Sequence, residues 1–311
     1  MIDIVTVNWN AGNQLKDCLD SIIAHDTNQV SNIIVVDNGS TDGSADAVES
    51  LPGVQVIRTG KNLGFGAACN IGAAAANSPY ILFLNPDTKL EANSLSVPLA
   101  FMEAPESASV GICGIQLMDG QGQVGRTCAR FPTLGRLVSS ALGLDKLPGL
   151  KGLGIHMQDW DHLSSSDVDH VMGAFYLIRR EIFEQVGGFD ERFFVYMEDV
   201  DLSKLVNDAG WHSHYLTEAQ AFHAGGGTSR QVKVHRLFYS LRSRLLYGFK
   251  HFPRWQAWLL VVVTNLFEPF TRSVWCLLRG DFAGVKHTWA AYRKLWRAMG
   301  HIPRGEGRYN P

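Results

Sequence analysis

The sequence has only five cysteines in 311 residues, and no two of them stand at the C-x-x-C spacing of a metal or redox motif. The first residues, Met1-Ile2-Asp3-Ile4-Val5, do not form the basic and apolar segments of a secretory signal. We therefore expect free thiols in a reducing cytoplasm. Long uncharged runs are absent as well. Residues 255–267 form a run of 13 without a charge, and about 20 are needed to span a bilayer.

Several other classes of protein are excluded by features that the sequence does not have. Apolar residues make up 46% of the chain and charged residues 19%, which excludes a disordered chain, a collagen and a small disulfide scaffold. The P-loop pattern G-x-x-x-x-G-K-[ST] is absent. Gly64-Phe65-Gly66 lacks the full G-x-G-x-x-G spacing and follows the third predicted strand rather than the first. We therefore expect no NAD site.

Acidic residues are scarce in the last quarter of the chain. Residues 230–311 contain 15 Lys and Arg but only 3 Asp and Glu, whereas residues 1–229 contain 13 basic and 27 acidic residues. Five of the eight tryptophans also lie in this basic tail. Tryptophan combined with Lys and Arg is typical of a segment that lies among lipid headgroups, so the tail is predicted to bind an anionic membrane surface. An ordinary pair of core helices is the alternative.

Short apolar runs alternate with helical patterns over the first 90 residues. Strands are predicted at 2–7, 33–36, 54–57 and 80–84, and helices around 15–23 and over 65–76. This alternation indicates an α/β fold with a parallel sheet covered on both faces. Ligands bind such sheets at the carboxyl ends of the strands. The loops that hold Asn8, Asp37 and Asp87 are therefore predicted to converge on one site.

The pattern is weaker farther along the chain. Residues 126–166 are rich in glycine and leucine, and we expect a loop-rich insertion there. Residues 168–178 are predicted to form one strand, and residues 199–209 a helix that ends before Gly210. A basic helix is predicted over residues 232–249.

Two acidic loops follow predicted strands. In Asp37-Asn38-Gly39-Ser40, a carboxylate at a strand end can accept the N3–H of uracil or thymine, although these residue types are equally good helix N-caps. Asn85-Pro86-Asp87 suits a hard divalent cation, with Asp87 as one oxygen ligand and substrate phosphates as others. An ordinary Pro-Asp turn is the alternative there.

Two later motifs complete the chemistry. Glu198-Asp199-Val200-Asp201 opens a helix after aromatic residues, which we expect to desolvate one carboxylate and raise its pKa, as suits a general base. The alternative is a favourable interaction with the helix dipole. His223 precedes a glycine-rich loop, where an imidazole can ligate a metal and backbone N–H groups can hold phosphate. A hinge before the tail is the other interpretation.

Taken in order, these motifs resemble the family-2 inverting glycosyltransferases of the GT-A fold, and most closely the bacterial rhamnosyltransferase-like branch that builds cell-surface polysaccharide. The likeness covers roughly residues 1–230. The matching segments are Val7-Asn8-Trp9-Asn10, Val36-Asp37-Asn38-Gly39-Ser40-Thr41-Asp42, Asn62-Leu63-Gly64-Phe65-Gly66 with Asn70, Phe83-Leu84-Asn85-Pro86-Asp87, Gly187-Gly188-Phe189-Asp190-Glu191-Arg192-Phe193-Phe194, Glu198-Asp199-Val200-Asp201-Leu202 and His223-Ala224-Gly225-Gly226.

The resemblance implies a Rossmann-like mixed α/β sheet with helices on both faces. It implies a GT-A catalytic domain over residues 1–230 and a basic, Trp-rich helical region over residues 231–311 that associates with membranes. Asp199 would be the catalytic base. A divalent cation, Mg²⁺ or Mn²⁺, would be held by Asp87 and His223. The nucleotide sugar would be bound by Thr6, Asn8, Asp37, Asn38, Ser40, Asn62, Gly66, Asn70 and Asp87.

One position departs from the family pattern. Asn85 stands where the first Asp of the D-x-D metal motif would be, so cation binding is expected to depend on the bound diphosphate. Arg130-Phe131-Pro132 and Asp169 are candidates for shaping the sugar or acceptor pocket.

The implied activity is transfer of L-rhamnose from dTDP-L-rhamnose to a saccharide acceptor, most simply a polyprenyl-linked one, at the inner face of the cell membrane. Transfer of glucosyl, galactosyl or galactofuranosyl groups from UDP-sugars stays open. A sugar nucleotidyltransferase would need Lys or Arg in the loop after strand one, and residues 8–14 have neither. A non-catalytic nucleotide-binding protein would have no use for both Asp87 and Asp199. No nucleic acid partner is expected.

Overall fold

The computed structural model describes residues 1–25, 27–225 and 233–304. These residues form two compact units. The sheet unit comprises residues 1–129, 161–190 and 199–225, and the helical unit comprises residues 130–160, 191–198 and 233–304. The predicted domain boundary near residue 230 stays a prediction. Residues 130–160 and 191–198, which precede that boundary in the sequence, pack with the C-terminal helices.

Strands and helices alternate through the first half of the chain, and helices dominate the end. The strands are β1 (Ile2–Asn8), β2 (Val30–Asp37), β3 (Val54–Arg58), β4 (Tyr80–Leu84), β5 (Thr88–Leu90), β6 (Val110–Met118), β7 (Cys128–Ala129), β8 (Ser166–Val168), β9 (His170–Val171), β10 (Phe175–Arg179) and β11 (His212–His223). The α-helices are α1 (Asn13–Ala24), α2 (Phe65–Ala74), α3 (Ser96–Glu103), α4 (Leu134–Leu142), α5 (Arg180–Gln185), α6 (Glu198–Asp208), α7 (Lys233–His251), α8 (Arg254–Val262), α9 (Glu268–Leu278) and α10 (Phe282–Ala298).

The sheet unit is built on one mixed sheet with the order β3-β2-β1-β4-β10-β6-β11-β5, and β8 pairs with β11. Strands β1 to β4 are parallel to their neighbours within this group, as predicted. Strand β10 runs antiparallel to both β4 and β6. The four predicted N-terminal strands and the mixed α/β sheet are therefore confirmed.

Helices cover both faces of the sheet because alternate strand residues point to opposite sides. Ile4 and Val35 belong to a core cluster with Leu15 of α1 and with residues of α3. The next residue in β1, Val5, faces α2 instead. A Cβ on Gly72 of α2 would lie 2.4 Å from Val5 Cγ1, so a glycine is needed for this helix to pack so close to the sheet.

One sequence prediction for the middle of the chain is wrong. Residues 168–178 do not form one strand, because the chain leaves the main sheet after β8, forms the β7–β9 pair at His170–Val171 and returns to the main sheet at Phe175. Residues 126–166 are rich in loops, as predicted, and also include α4. Thr133 caps this helix by accepting from the N–H of Arg136, and Gly143 ends it with a φ of +74°.

The helical unit is held together by a buried ion network. Glu268 is fully buried, and its Oε1 accepts from Arg244 at 3.2 Å and from Arg272 at 2.8 Å. Arg244 also donates to the hydroxyl of Thr264 at 3.0 Å. Thr264 lies in a π-helical turn, Val263–Phe267, which joins α8 to α9. The network thereby connects α7 to the π turn and to α9.

Candidate active site

Asn8 and Asp37 end the neighbouring parallel strands β1 and β2 and stand opposite each other in register. The Asn8 side-chain amide donates to Asp37 Oδ1 at 3.1 Å and to the hydroxyls of Ser40 and Ser44 at 3.1 and 2.9 Å. Asp37 Oδ2 lies 3.9 Å from the guanidinium of Arg58. The structure thus fixes a buried carboxylate at the predicted edge of the sheet. Its role in binding a base stays a prediction.

Asn38 joins this edge to the loop that precedes α2. Its side-chain amide donates to Asn62 Oδ1 at 3.2 Å and to the backbone carbonyl of Gly64 at 3.1 Å. The two loops approach so closely that a Cβ on Gly39 would lie 2.7 Å from the backbone of Lys61. The φ of Gly39 is +78°, so a glycine is required there for two reasons.

Three other residues predicted to bind the nucleotide sugar lie in the same sheet unit. Thr6 is buried in β1, and its hydroxyl has no hydrogen-bond partner among the described residues. Gly66 is buried in the first turn of α2. Asn70 donates to the Phe189 carbonyl and accepts from the Phe189 N–H, both at 2.9 Å. Asn70 therefore clamps a distant loop, a contact that the sequence did not predict.

Asp87 and His223 meet where β5 pairs with the end of β11. His223 stands opposite Thr88 in the antiparallel register, and the Asp87 carbonyl accepts from the Ala224 N–H at 3.0 Å. These backbone contacts bring Asp87 Oδ1 within 3.3 Å of His223 Nε2. The glycine-rich loop after Gly225 lies outside the described residues.

A cation at this pair would have one carboxylate and one imidazole as protein ligands. Within residues 1–25, 27–225 and 233–304, no group of three or more His, Cys, Asp or Glu side chains is arranged to hold a metal ion. A Mg²⁺ or Mn²⁺ ion with few protein ligands completes its shell with waters and substrate phosphate oxygens. The residues present therefore fit a cation shared with a diphosphate, as Asn85 in place of an aspartate also indicates.

Asp199 is the second residue of α6, and three groups surround its carboxylate. Oδ1 accepts from the N–H of Val200 at 2.9 Å, and Oδ2 accepts from the N–H of Gly173 at 3.1 Å. The ring nitrogen Nε2 of His170 lies 3.5 Å from Oδ2. The side chain is thus held from both its own helix and the β9–β10 connection.

The expected rise in the pKa of Asp199 is wrong. Burial does raise this pKa, but the His170 ring and the N–H groups of Gly173 and Val200 outweigh burial and hold the pKa below its ordinary value of 3.8. Sequence analysis identified the aromatic neighbours but not these donors. The carboxylate is therefore ionised at neutral pH, which is the state that a general base requires.

Strand pairing brings the catalytic candidates to one edge of the sheet. The N–H of Asn85 donates to the carbonyl of Ala174 at 3.1 Å. Asp87 lies two residues beyond Asn85, and Gly173, adjacent to Ala174, binds Asp199. Strand β2, which ends in the third carboxylate, is separated from β4 by β1 alone. All three carboxylates therefore lie along the carboxyl edge of the parallel strands.

The backbone just before Asp199 is strained. Tyr196 and Met197 have φ values of +68° and +71°, in the left-handed region that non-glycine residues rarely adopt. Such residues cost about 1–3 kcal/mol each and cluster at functional sites. No feature of the sequence predicted this backbone strain.

Sequence analysis also missed three residues around Asp199: His170, Ser203 and Tyr176. His170 and Tyr176 lie on strands whose sequences carry no motif. Ser203 did offer a signal, because it follows Asp199 by four residues and shares its helix face.

Comparisons with known proteins agree on one family. Residues 3–187 match the sequence model of the family described as Glycosyl transferase family 2. The N-acetylglucosaminyl-diphospho-decaprenol L-rhamnosyltransferase of Mycobacterium tuberculosis is 30% identical over 270 residues, which is 83% of this chain and 87% of that protein. Rhamnosyltransferase WbbL of Escherichia coli is 28% identical over 79% of this chain and 92% of that protein.

A solved structure supports the fold. The mannosyltransferase PcManGT from Pyrobaculum calidifontis, in complex with GDP-Man and Mn²⁺, aligns over 98% of this chain and 85% of its own with a TM-score of 0.54. Its sequence identity is 16%, so the likeness extends to the GT-A architecture alone.

Proposed function

Because the chain belongs to glycosyl transferase family 2 and is a glycosyltransferase, we propose that it transfers L-rhamnose from dTDP-L-rhamnose, with inversion, to a polyprenyl-diphosphate-linked saccharide in cell-surface glycan synthesis. The single observation that carries the proposed chemistry is the shared sheet edge of Asp37, the Asp87–His223 pair and Asp199. The choice of donor and acceptor is supported by the rhamnosyltransferases that match most of the chain.

Each group on this edge has a part in the proposed reaction. Asp37 accepts the N3–H of the thymine base, because a carboxylate can only accept hydrogen bonds. Asp199 removes the proton from the acceptor hydroxyl as that oxygen attacks the anomeric carbon. Attack from the face opposite the diphosphate inverts the anomeric centre. One base suffices because the nucleoside diphosphate is already a good leaving group, unlike the alkoxide that a glycosidase must protonate.

Asp87 and His223 would hold a divalent cation beside the diphosphate. The cation would supply charge neutralisation for the leaving group, which gains negative charge in the transition state. The solved structure of the mannosyltransferase contains both GDP-Man and Mn²⁺, which supports this part of the proposal.

A thermal-shift experiment coupled to a transfer assay tests the donor. We expect dTDP-L-rhamnose with Mn²⁺ or Mg²⁺, at about 100 times its Kd, to stabilise the protein by about 2.7 kcal/mol. This corresponds to a rise in Tm of about 4 °C for a chain of 311 residues. UDP-glucose, UDP-galactose and UDP-galactofuranose serve as comparisons. If one of them stabilises the protein more strongly and is transferred faster, that UDP-sugar is the donor and the proposal of dTDP-L-rhamnose is wrong. The assignment to the family would not change.

We also propose that the helical unit binds an anionic membrane surface. Within the described helices, none has both the length and the low polarity that a membrane crossing requires. Apolar side chains nevertheless lie exposed along α8 and α9. They form an apolar stripe, defined here as Trp255, Leu259, Val262, Leu266, Phe270, Val274 and Leu277.

The π turn lies in the middle of this stripe. Val262, Leu266 and Phe270 follow one another at four-residue spacing, so a straight α-helix would rotate Phe270 by about 80° from Val262 about the axis. The Val263–Phe267 turn is wider than an α-helical turn, and each of its residues rotates less. This offsets the drift between Val262 and Phe270. Arg254 and Arg279 are exposed at the two ends of the stripe and suit anionic headgroups.

The double substitution Leu266→Glu with Phe270→Glu tests the membrane surface. Each change places a charge where an apolar side chain would enter the lipid, so binding to phosphatidylglycerol vesicles should fall on the order of tenfold or more in a sedimentation assay. Leu163→Glu is the matched control, because Leu163 is 64% exposed in the sheet unit and Leu266 is 60% exposed. Equal sedimentation of the double variant and the control would show that the stripe does not contact the membrane.

These proposals place the protein at the inner face of the cell membrane as a peripheral protein. All five cysteines are free and four of them are buried, which supports a reducing compartment.

A further inference from the structure

A buried histidine joins Asp199 to the rest of the sheet unit. His170 is 4% exposed, and its two ring nitrogens face two residues of one helix. Nε2 lies 3.5 Å from Asp199 Oδ2, and Nδ1 lies 2.9 Å from Ser203 Oγ. Asp199 and Ser203 are four residues apart on α6, so they lie one above the other on the same helix face. The ring therefore spans one turn of the helix that carries the proposed base.

A fourth residue extends this chain of contacts. The hydroxyl of Tyr176 lies 2.9 Å from Ser203 Oγ, and both residues are buried. An ionised carboxylate only accepts, so the Nε2–H of His170 points to Asp199. Nδ1 of the ring shares a hydrogen bond with the Ser203 hydroxyl, and that hydroxyl shares a second one with Tyr176. The ring is therefore held at both of its nitrogens.

We propose that His170, held by Ser203 and Tyr176, is a positioning residue that orients the Asp199 carboxylate toward the acceptor hydroxyl. This inference rests on the proposed function, in which Asp199 is the base. The 3.5 Å contact is long for a hydrogen bond. Catalytic contacts of this kind often tighten when substrate binds, and a ring fixed at Nδ1 keeps Nε2 in place for that step.

The groups around Asp199 determine how loss of the His170 ring would change the pKa of the carboxyl. Burial disfavours the charged carboxylate, and the His170 ring is the main group that opposes burial, ahead of the N–H groups of Gly173 and Val200. The other titratable groups around it are the Tyr176 phenol on β10 and two acids on its own helix, Glu198 and Asp201. None of these favours the charged form of Asp199. Without the ring, the pKa of Asp199 should therefore rise.

Loss of the His170 ring should lower activity most at acidic pH. A general base works only when it is deprotonated, so a higher pKa removes activity from the acidic side first. The ratio of variant to wild-type kcat/KM should fall as pH decreases from about 7.5 to about 5, with the acid limb moved up by about one pH unit or more. A purely structural histidine would lower activity by the same factor at every pH.

The test compares His170→Phe, His170→Gln and Ser203→Ala in the full chain. We expect His170→Phe to lower kcat by about tenfold to hundredfold, as loss of an orienting partner does at other sites. The donor KM and the thermal shift with dTDP should stay unchanged. His170→Gln keeps a donor of similar reach and should recover part of kcat. Ser203→Ala should give a smaller loss of kcat with the same pH trend.

Four results would overturn the inference or separate it from its premise. A pH-independent ratio for His170→Gln and Ser203→Ala, with normal melting, overturns the positioning role even where His170→Phe fails to fold. A loss confined to the donor KM overturns it as well. If Asp199→Asn retains transfer, Asp199 is not the base, and the inference about His170 is then wrong as well. If the His170 variants behave as wild type while Asp199→Asn is inactive, the proposed function stands without this inference.

Discussion

Asp199→Asn should abolish sugar transfer and leave donor binding intact. The amide has nearly the size of the carboxylate, and its single oxygen can accept from one of the two N–H groups, Gly173 or Val200, that the carboxylate binds through separate oxygens. It cannot take a proton from the acceptor hydroxyl. Loss of a general base costs typically 10²–10⁴-fold in rate, so we expect kcat to fall by about 10³-fold. Titration of dTDP-L-rhamnose by thermal shift measures the donor binding that should be kept.

Asp208→Asn is the control for this substitution. Asp208 lies on the same helix, is exposed and forms an ion pair with Lys204 four residues earlier. Its replacement should change kcat by less than about twofold, because an exposed pair of this kind contributes little. Transfer by Asp199→Asn at a rate close to that of the control would show that another group removes the proton.

Asp87→Ala should produce the second large loss. The substitution removes the carboxylate that faces His223 at 3.3 Å and leaves the imidazole as the one remaining protein ligand of the proposed pair. Loss of a group that stabilises developing negative charge costs about 10²–10³-fold in kcat. We expect a loss of that size at fixed Mn²⁺, together with a higher Mn²⁺ concentration for half-maximal activity.

Two further variants serve as a control and as a converse test for Asp87→Ala. Asp17→Ala is the surface control, since Asp17 pairs with Lys89 at 2.8 Å and both side chains are half exposed. Asn85→Asp supplies the carboxylate that the D-x-D pattern would have, so it should lower the Mn²⁺ concentration required. If Asp87→Ala keeps both the rate and the Mn²⁺ dependence of the Asp17→Ala control, Asp87 does not hold a cation.

Much of the sheet could be predicted from local pattern alone. Strands β1 to β4 are short apolar runs that end at polar turn residues, and both the runs and their ends are properties of neighbouring residues. The same rule placed Asn8 and Asp37 at one edge, because parallel strands share the direction of their carboxyl ends. The pattern failed over residues 168–178, where most residues are apolar but the chain changes partner strands between Val171 and Phe175.

The environment of Asp199 shows why the rest could not be predicted. The sequence shows aromatic residues just before Asp199, and from that pattern a raised pKa was expected. The groups that decide the pKa are His170 and Gly173, which lie 29 and 26 residues away and meet Asp199 only through the β9–β10 connection. The same holds for Asn70, whose amide binds the backbone of Phe189, 119 residues away.

By itself the sequence determined the α/β pattern, the family, the three loop carboxylates and the contrast between an acidic body and a basic, Trp-rich tail. All of these are carried by the order and type of residues along the chain. Tertiary structure alone decided which donors surround each carboxylate, how a π turn aligns the apolar stripe, and that residues 130–160 pack with the C-terminal helices. The physical reason is that hydrogen bonds and burial depend on distance in space, which only folding sets between residues far apart in sequence.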